Sequence, residues 1–134
     1  MVAADVQQPC TGPSARVAVL IVEDEVLIRM LLADALRQAD WDVIEAANAE
    51  EALAVLHTSR EPDVLVTDVR MPGSVDGFEL AAYVRRAKPR LKVIITSGHA
   101  GPDGPIGLAD AFVPKPYDLG AIVARIRSLI DAND

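Results

Sequence analysis

The amino-acid sequence predicts an α/β domain in which a parallel sheet is covered by helices on both faces. Five short runs of aliphatic and β-branched residues alternate with four longer segments whose apolar residues recur at helical spacing. Runs such as 17–22 and 64–66 are apolar throughout, which is typical of strands buried on both sides. Because right-handed crossovers place helices on both faces of a parallel sheet, this alternation indicates a doubly wound architecture.

The first half of the chain contains two predicted strand–helix pairs. Residues 17–22 form a strand that ends at the acidic residues 23–25, and a helix follows. The buried stripe of this helix is predicted at Ile28, Leu31, Leu32, Ala35 and Leu36. A short second strand spans 41–46, and Asn48 followed three residues later by Glu51 resembles a capping box that begins the second helix.

The second half adds three strands and two helices. The strands are predicted at 64–66, 91–96 and 111–113. A third helix runs from Gly77 to a stop before Pro89, and Asp118 can cap the last helix. The segment 100–107 contains three glycines and two prolines, so it is predicted to be a loop or at most one turn.

Length and composition favour one acidic, intracellular domain. The chain has 134 residues, 51% of them hydrophobic, and a formal net charge of −7, which argues against direct binding to nucleic acid. Residues 1–14 lack periodicity and are predicted to be a disordered leader, so the domain spans 15–134. One cysteine, no signal-peptide pattern and no long apolar run predict a cytoplasmic protein without a membrane partner.

Polar residues with complementary chemistry follow four of the strands. If the strands are parallel, the loops that carry them open at one edge of the sheet. The residues expected to converge there are Glu23, Asp24, Asp68, Ser97 and Lys115. Three neighbouring carboxylates repel unless a cation offsets their charge, and ligands that are all oxygens favour a hard ion such as Mg²⁺, or Mn²⁺.

This set of side chains matches the requirements of phosphoryl transfer to a carboxylate. Asp68 is the predicted nucleophile and would form an acyl phosphate. Lys115 would pair with Asp68 and later with a phosphoryl oxygen, while the Ser97 hydroxyl would donate a hydrogen bond to the same group. Because the sequence offers no dedicated base for fast hydrolysis, we expect a phosphoacceptor rather than an enzyme.

With these motifs the chain resembles the receiver domains of bacterial two-component response regulators, of the chemotaxis-receiver type. The resemblance covers residues 16–132. It is carried by Val22-Glu23-Asp24-Glu25, by Asp68 with Met71-Pro72-Gly73 and Asp76-Gly77, by Ser97-Gly98 and by Lys115-Pro116. Since the chain ends shortly after its last predicted helix, a stand-alone receiver is expected.

The resemblance implies a flavodoxin-like sheet of order 2-1-3-4-5 and a role for each site residue. Glu23, Asp24, Asp68 and the backbone carbonyl of Arg70 would bind Mg²⁺. Asp68 would accept phosphoryl from a histidine kinase or histidine phosphotransferase. Ser97 and Phe112 would reorient together as a switch, and Arg70 and His99 would tune the lifetime of the phosphoryl group. Lys115–Pro116 would be a cis peptide.

Two departures from the family accompany the resemblance. The loop Gly73-Ser74-Val75-Asp76-Gly77 is one residue longer than the commonest family spacing. The stretch from Ser97 to Lys115 is shorter than usual, so the family's fourth helix is expected to be shortened or replaced by a loop. The residues do not separate a switch that binds an unknown target from a phosphoryl shuttle or sink in a phosphorelay. A metal-dependent aspartyl phosphatase is disfavoured, because Arg70 stands where such enzymes need a second Asp.

Overall fold

The computed structural model describes residues 16–58, 61–70, 73, 75–97, 109–116 and 118–132, and the predicted leader, His99 and the 100–107 segment lie outside them. The strands are β1 (Ala18–Val22), β2 (Asp42–Ala46), β3 (Val64–Asp68), β4 (Lys92–Ser97) and β5 (Ala111–Pro114). The helices are α1 (Val26–Gln38), α2 (Ala49–Leu56), α3 (Gly77–Ala87) and α4 (Leu119–Ala132). Each predicted strand and helix within the described residues is therefore present, with small shifts at the ends.

All five strands are parallel and lie in the order β2-β1-β3-β4-β5, as the resemblance implied. Val22 at the end of β1 lies beside Thr67, and Asp68 lies beside Thr96. Ser97, the last residue of β4, lies beside Pro114. Since these pairs all sit at the carboxyl ends of strands, the residues that follow them open at one edge of the sheet.

The sheet separates two apolar clusters. Leu20, Leu65 and Ile95 face one side, where α2 and α3 contribute Leu56 and Leu80. The residues that face the other side, where α1 and α4 pack, include Val19, Ile21, Val66, Ile94, Leu32, Leu36, Ile122 and Ile126. Both faces of the central strands are therefore buried, which explains their uninterrupted apolar sequence.

Side-chain caps fix the starts of α2, α3 and α4, whereas Glu25 at the start of α1 makes no side-chain cap bond. The Asn48 side chain accepts a hydrogen bond from the Glu51 amide at 2.8 Å, which confirms the Asn48 half of the predicted capping box of α2, whereas the Glu51 side chain accepts from the Ala47 amide at 2.7 Å. Asp118 accepts one from the Gly120 amide at 3.0 Å at the start of α4. Asp76 forms a full capping box with Glu79 at α3.

The prediction that Leu31 belongs to the buried stripe of α1 is wrong. Leu31 is 51% exposed, and α1 instead buries Leu32, Ala33 and Leu36. Periodicity alone could not choose, because Leu31 and Ala33 are both apolar and lie on either side of the same stripe. The exposed residues Val26, Leu27, Met30 and Leu31 together form what we call the α1 apolar surface.

All helices in the part of the chain that the structure describes fall short of the length and apolar character that a bilayer span requires.

Candidate functional site

The carboxyl-terminal edge of the sheet brings three charged side chains into direct contact. The Lys115 Nζ lies 2.9 Å from Glu23 Oε1 and 3.0 Å from Asp68 Oδ2. The side chains of Lys115, Asp68 and Glu23 are 18%, 13% and 3% exposed, so this is a largely buried network. Residues separated by up to 92 positions meet here because Glu23 follows β1, Asp68 ends β3 and Lys115 follows β5, and the carboxyl ends of these parallel strands lie at one edge of the sheet.

Asp24 completes an acidic cluster beside this network. Carboxylate oxygens of Glu23, Asp24 and Asp68 all lie within 4.8 Å of one another. Glu23 is buried and Asp24 is exposed, so the cluster is open to solvent on one side. Three carboxylates at this separation fit a hard divalent cation with oxygen ligands, and Lys115 offsets part of their charge.

Burial sets the protonation behaviour of the network. The pKa of Glu23 is raised above its ordinary value of 4.5, because desolvation of the carboxylate outweighs its hydrogen bonds from Lys115 and from the Glu25 amide. For Lys115, burial acts to lower the pKa. The bonds to Glu23 and Asp68 outweigh this effect, so the Lys115 pKa is raised and the ammonium stays charged.

The loop after β3 holds Asp68 through the main chain. The Val69 amide donates to Asp68 Oδ1 at 2.8 Å, and the Gly77 amide donates to the Val69 carbonyl at 2.8 Å. A Cβ at position 77 would meet the Val69 Cα at 2.8 Å, so only glycine permits this close approach of α3. The Asp68 carboxylate is thus fixed at the junction between β3 and α3.

The Lys115 main chain continues the pairing of β4 with β5. The Lys115 amide donates to the Ser97 carbonyl at 2.6 Å, and the Lys115–Pro116 peptide is cis, as the resemblance implied. Ser97 is buried at 7% exposure. Ser97 and Lys115 are therefore neighbours at the same edge of the sheet as Asp68.

The three remaining residues to which the resemblance gives roles are Phe112, Arg70 and His99, and each has a different environment. Phe112 lies on β5 beside Ile95 and is half-buried against the cluster that contains Leu80. Arg70 is exposed at the end of a described segment. His99 lies outside the described residues, so the structure says nothing about its position.

Sequence reasoning missed a contact between α1 and residues 23–25, which we call the acidic loop. Arg29 lies outside the predicted buried stripe of α1, yet its side chain is only 17% exposed and donates to the Glu23 carbonyl at 2.8 Å. Helical periodicity carries no signal for such a contact, because the contact depends on how α1 packs beside β2.

Comparison with known proteins gives a consistent assignment. Residues 19–127 match the family model described as "Response regulator receiver domain". The chain is 36% identical over 116 residues to the DNA-binding transcriptional regulator NtrC of Salmonella typhimurium, covering 84% of this chain and 24% of NtrC. It is 35% identical over 132 residues to the sensor kinase CckA of Brucella abortus, covering 95% of this chain and 14% of CckA. It thus spans a quarter or less of these two curated relatives.

A similar solved structure is the response regulator TrrA of Thermotoga maritima, crystallised in complex with Mg(2+)-BeF. The TM-score is 0.76 at 29% sequence identity, covering 84% of this chain and 98% of TrrA.

Proposed function

The chain belongs to the response regulator receiver domain family, and on this premise we propose that it is a phosphoacceptor in two-component signalling. In this proposal Asp68 accepts a phosphoryl group from a histidine kinase or histidine phosphotransferase in the presence of Mg²⁺ or Mn²⁺. The observation that carries the proposal is the Lys115 ammonium, which bonds both Glu23 and Asp68 inside an acidic cluster. A buried lysine that is shared by two carboxylates can exchange one of them for a phosphoryl oxygen.

Glu23, Asp24, Asp68 and the backbone carbonyl of Arg70 would hold the cation, which supplies charge neutralisation at the phosphoryl oxygens. An Asp68 carboxylate oxygen attacks phosphorus, the P–N bond of the phosphohistidine breaks, and its electron pair stays on the leaving imidazole. Lys115 then contacts a phosphoryl oxygen, and the Ser97 hydroxyl donates to another. This step needs no base, because a carboxylate nucleophile has no proton to lose.

The conformational change on phosphorylation would be transmitted through β5. Lys115 follows the strand that carries Phe112, and the Lys115 amide bonds the Ser97 carbonyl. A change of partner at Lys115 and Ser97 would therefore act on the strand that holds Phe112, which supports the proposed switch. Arg70 and His99 are proposed to tune the phosphoryl lifetime from positions next to the reactive groups in the sequence.

The α1 apolar surface is proposed to contact the phosphodonor protein. α1 begins two residues after Asp24, so this surface adjoins the acidic loop. Four exposed aliphatic side chains, Leu27 the most exposed at 68%, can pack against a donor helix while its histidine approaches Asp68.

The decisive experiment is phosphorylation by acetyl phosphate with MgCl₂, followed by intact-protein mass spectrometry. Wild type should gain the mass of one HPO₃ unit, and a chelator should prevent the gain. Asp68→Asn should gain nothing. Asp34→Asn, which changes an exposed carboxylate on α1, is the matched control and should behave as wild type. Equal modification of the Asp68→Asn variant would contradict the assignment.

A second measurement separates a switch from a shuttle. The phosphorylated chain is mixed with an unphosphorylated histidine phosphotransfer protein. A shuttle or sink should transfer the label to the second histidine, whereas a switch should retain it and bind a target more tightly than the unphosphorylated chain does.

A further inference from the structure

Arg29 ties the acidic loop to the body of the domain through two bonds. Its Nη1 donates to the Glu23 carbonyl at 2.8 Å, and its Nε lies 3.3 Å from Glu45 Oε1. The Arg29 side chain is 17% exposed and the Glu45 side chain 30%, so water screens these contacts only in part. One guanidinium thus joins the loop after β1 to strand β2.

The bond to the Glu23 carbonyl acts on Asp24. That carbonyl belongs to the peptide that links Glu23 to Asp24, so its orientation fixes where the backbone places Asp24. The Glu23 amide is also held, because it donates to the Ala46 carbonyl at the end of β2 at 3.1 Å. Asp24 is exposed, and its position depends on this backbone.

Glu45 also holds Arg29 in the orientation that reaches the loop. The second oxygen of the Glu45 carboxylate lies 3.2 Å from Nη2 of Arg37, two turns farther along α1. Arg37 is 51% exposed. Two arginines of one helix therefore share Glu45, and within the described residues Arg29 alone of the two also bonds the acidic loop.

We infer that Arg29 is a positioning residue for the proposed cation site, holding the Glu23–Asp24 peptide so that both carboxylates face the cation. The inference rests on the proposed function, since it concerns the same site. It makes a prediction of opposite sign to simple electrostatics. Removing a positive charge near an acidic cluster should tighten cation binding by Coulomb attraction, whereas losing a positioning contact should weaken it.

The test is a titration of the full chain with MgCl₂, monitored through backbone amide NMR shifts. This measurement needs no phosphorylation activity. Arg29→Met keeps most of the side-chain volume and removes the donors, and it should raise the Kd for Mg²⁺ about tenfold, as loss of an outer contact to a metal site does. The Kd of the Arg29→Lys variant should lie between those of wild type and Arg29→Met, because an ammonium cannot bond both partners in the same fork geometry. Arg37→Met is the matched control, and its Kd should stay within about twofold of wild type because its exposed charge is screened.

The Mg²⁺ titrations distinguish failure of the inference about Arg29 from failure of the proposed cation site. An Arg29→Met variant that binds Mg²⁺ as tightly as wild type, or more tightly, would overturn the inference while leaving the proposed function intact. If Arg29→Met fails to fold, as judged from the spread of its amide spectrum, the Arg29→Lys variant replaces it, and an unchanged Kd there would overturn the inference. If wild type itself shows no response to MgCl₂, the proposed cation site fails and the inference fails with it.

Discussion

Replacing Lys115 with methionine should destabilise the domain in the absence of divalent cations. The substitution removes the ammonium that lies 2.9 Å from Glu23 and 3.0 Å from Asp68. It leaves two largely buried carboxylates without the positive group that they share. Breaking such a network costs more than breaking a surface ion pair, because the remaining charges stay desolvated.

The structure sets the expected magnitude. Carboxylate oxygens within 4.8 Å of one another repel by about 3–4 kcal/mol at an effective dielectric constant of about 20. Protonation of Glu23 would relieve this repulsion. At neutral pH that costs about 3 kcal/mol for a carboxyl with the ordinary pKa of 4.5, and less for Glu23, whose pKa burial already raises. We therefore expect a loss of about 2–3 kcal/mol in the free energy of unfolding.

Urea unfolding can be followed by the fluorescence of the single tryptophan, Trp41, which is 7% exposed in the fold. The matched control is Lys88→Met, which breaks a 2.9 Å ion pair with Glu61, whose side chain is 60% exposed. The control should cost about 1 kcal/mol or less.

The deficit of the Lys115→Met variant should respond to pH and to cations. A carboxyl whose pKa is higher in the folded state than in the unfolded state favours folding at low pH, and this contribution is lost as pH rises through the folded pKa. The deficit relative to wild type should therefore shrink as pH falls towards 4.5, the ordinary pKa of Glu23, and on addition of MgCl₂. A loss no larger than that of Lys88→Met, or one that neither acid nor Mg²⁺ reduces, would refute the reasoning.

Three further perturbations test other parts of the site. Gly77→Ala should lose about 1–3 kcal/mol in urea unfolding, because the added Cβ meets the Val69 Cα at 2.8 Å; unchanged stability would show that α3 does not press on the loop after β3. Leu27→Asp combined with Met30→Asp should slow transfer from a histidine phosphoprotein by about tenfold or more and leave modification by acetyl phosphate unchanged; equal effects on both donors would contradict docking at the α1 apolar surface. Affinity for Mg²⁺, measured by amide NMR titration, should fall as pH falls towards 4.5, because protons compete for Glu23, whose pKa burial raises; an affinity independent of pH down to that value would argue that Glu23 is not a ligand.

The parts of the fold that depend on local pattern were predictable. Continuous apolar runs identify buried parallel strands, and the Asn48 and Asp118 caps mark helix starts because the side-chain oxygen has to precede the amide it accepts from. The meeting of Glu23, Asp68 and Lys115 also followed, since parallel strands deliver their carboxyl ends to one edge.

The remaining features depend on how elements are rotated against one another. Leu31 and Ala33 are equally suited to a buried stripe, and the packing of α1 on the sheet decides between them. The Arg29 contact with the Glu23 carbonyl arises from the same rotation. No residue pattern encodes it, because an arginine on the polar side of a helix fits solvent exposure equally well.

The strand order divides the site into parts that differ in how easily they can move. Glu23 and Asp68 extend from β1 and β3, each of which has ladder neighbours on both sides, whereas Lys115 extends from β5, which pairs with β4 alone at the margin of the sheet. Displacing a marginal strand disrupts one row of hydrogen bonds, and displacing an inner strand disrupts two. The ammonium is therefore carried by an edge strand, which can be displaced more easily, and the carboxylates are carried by two inner strands, which cannot.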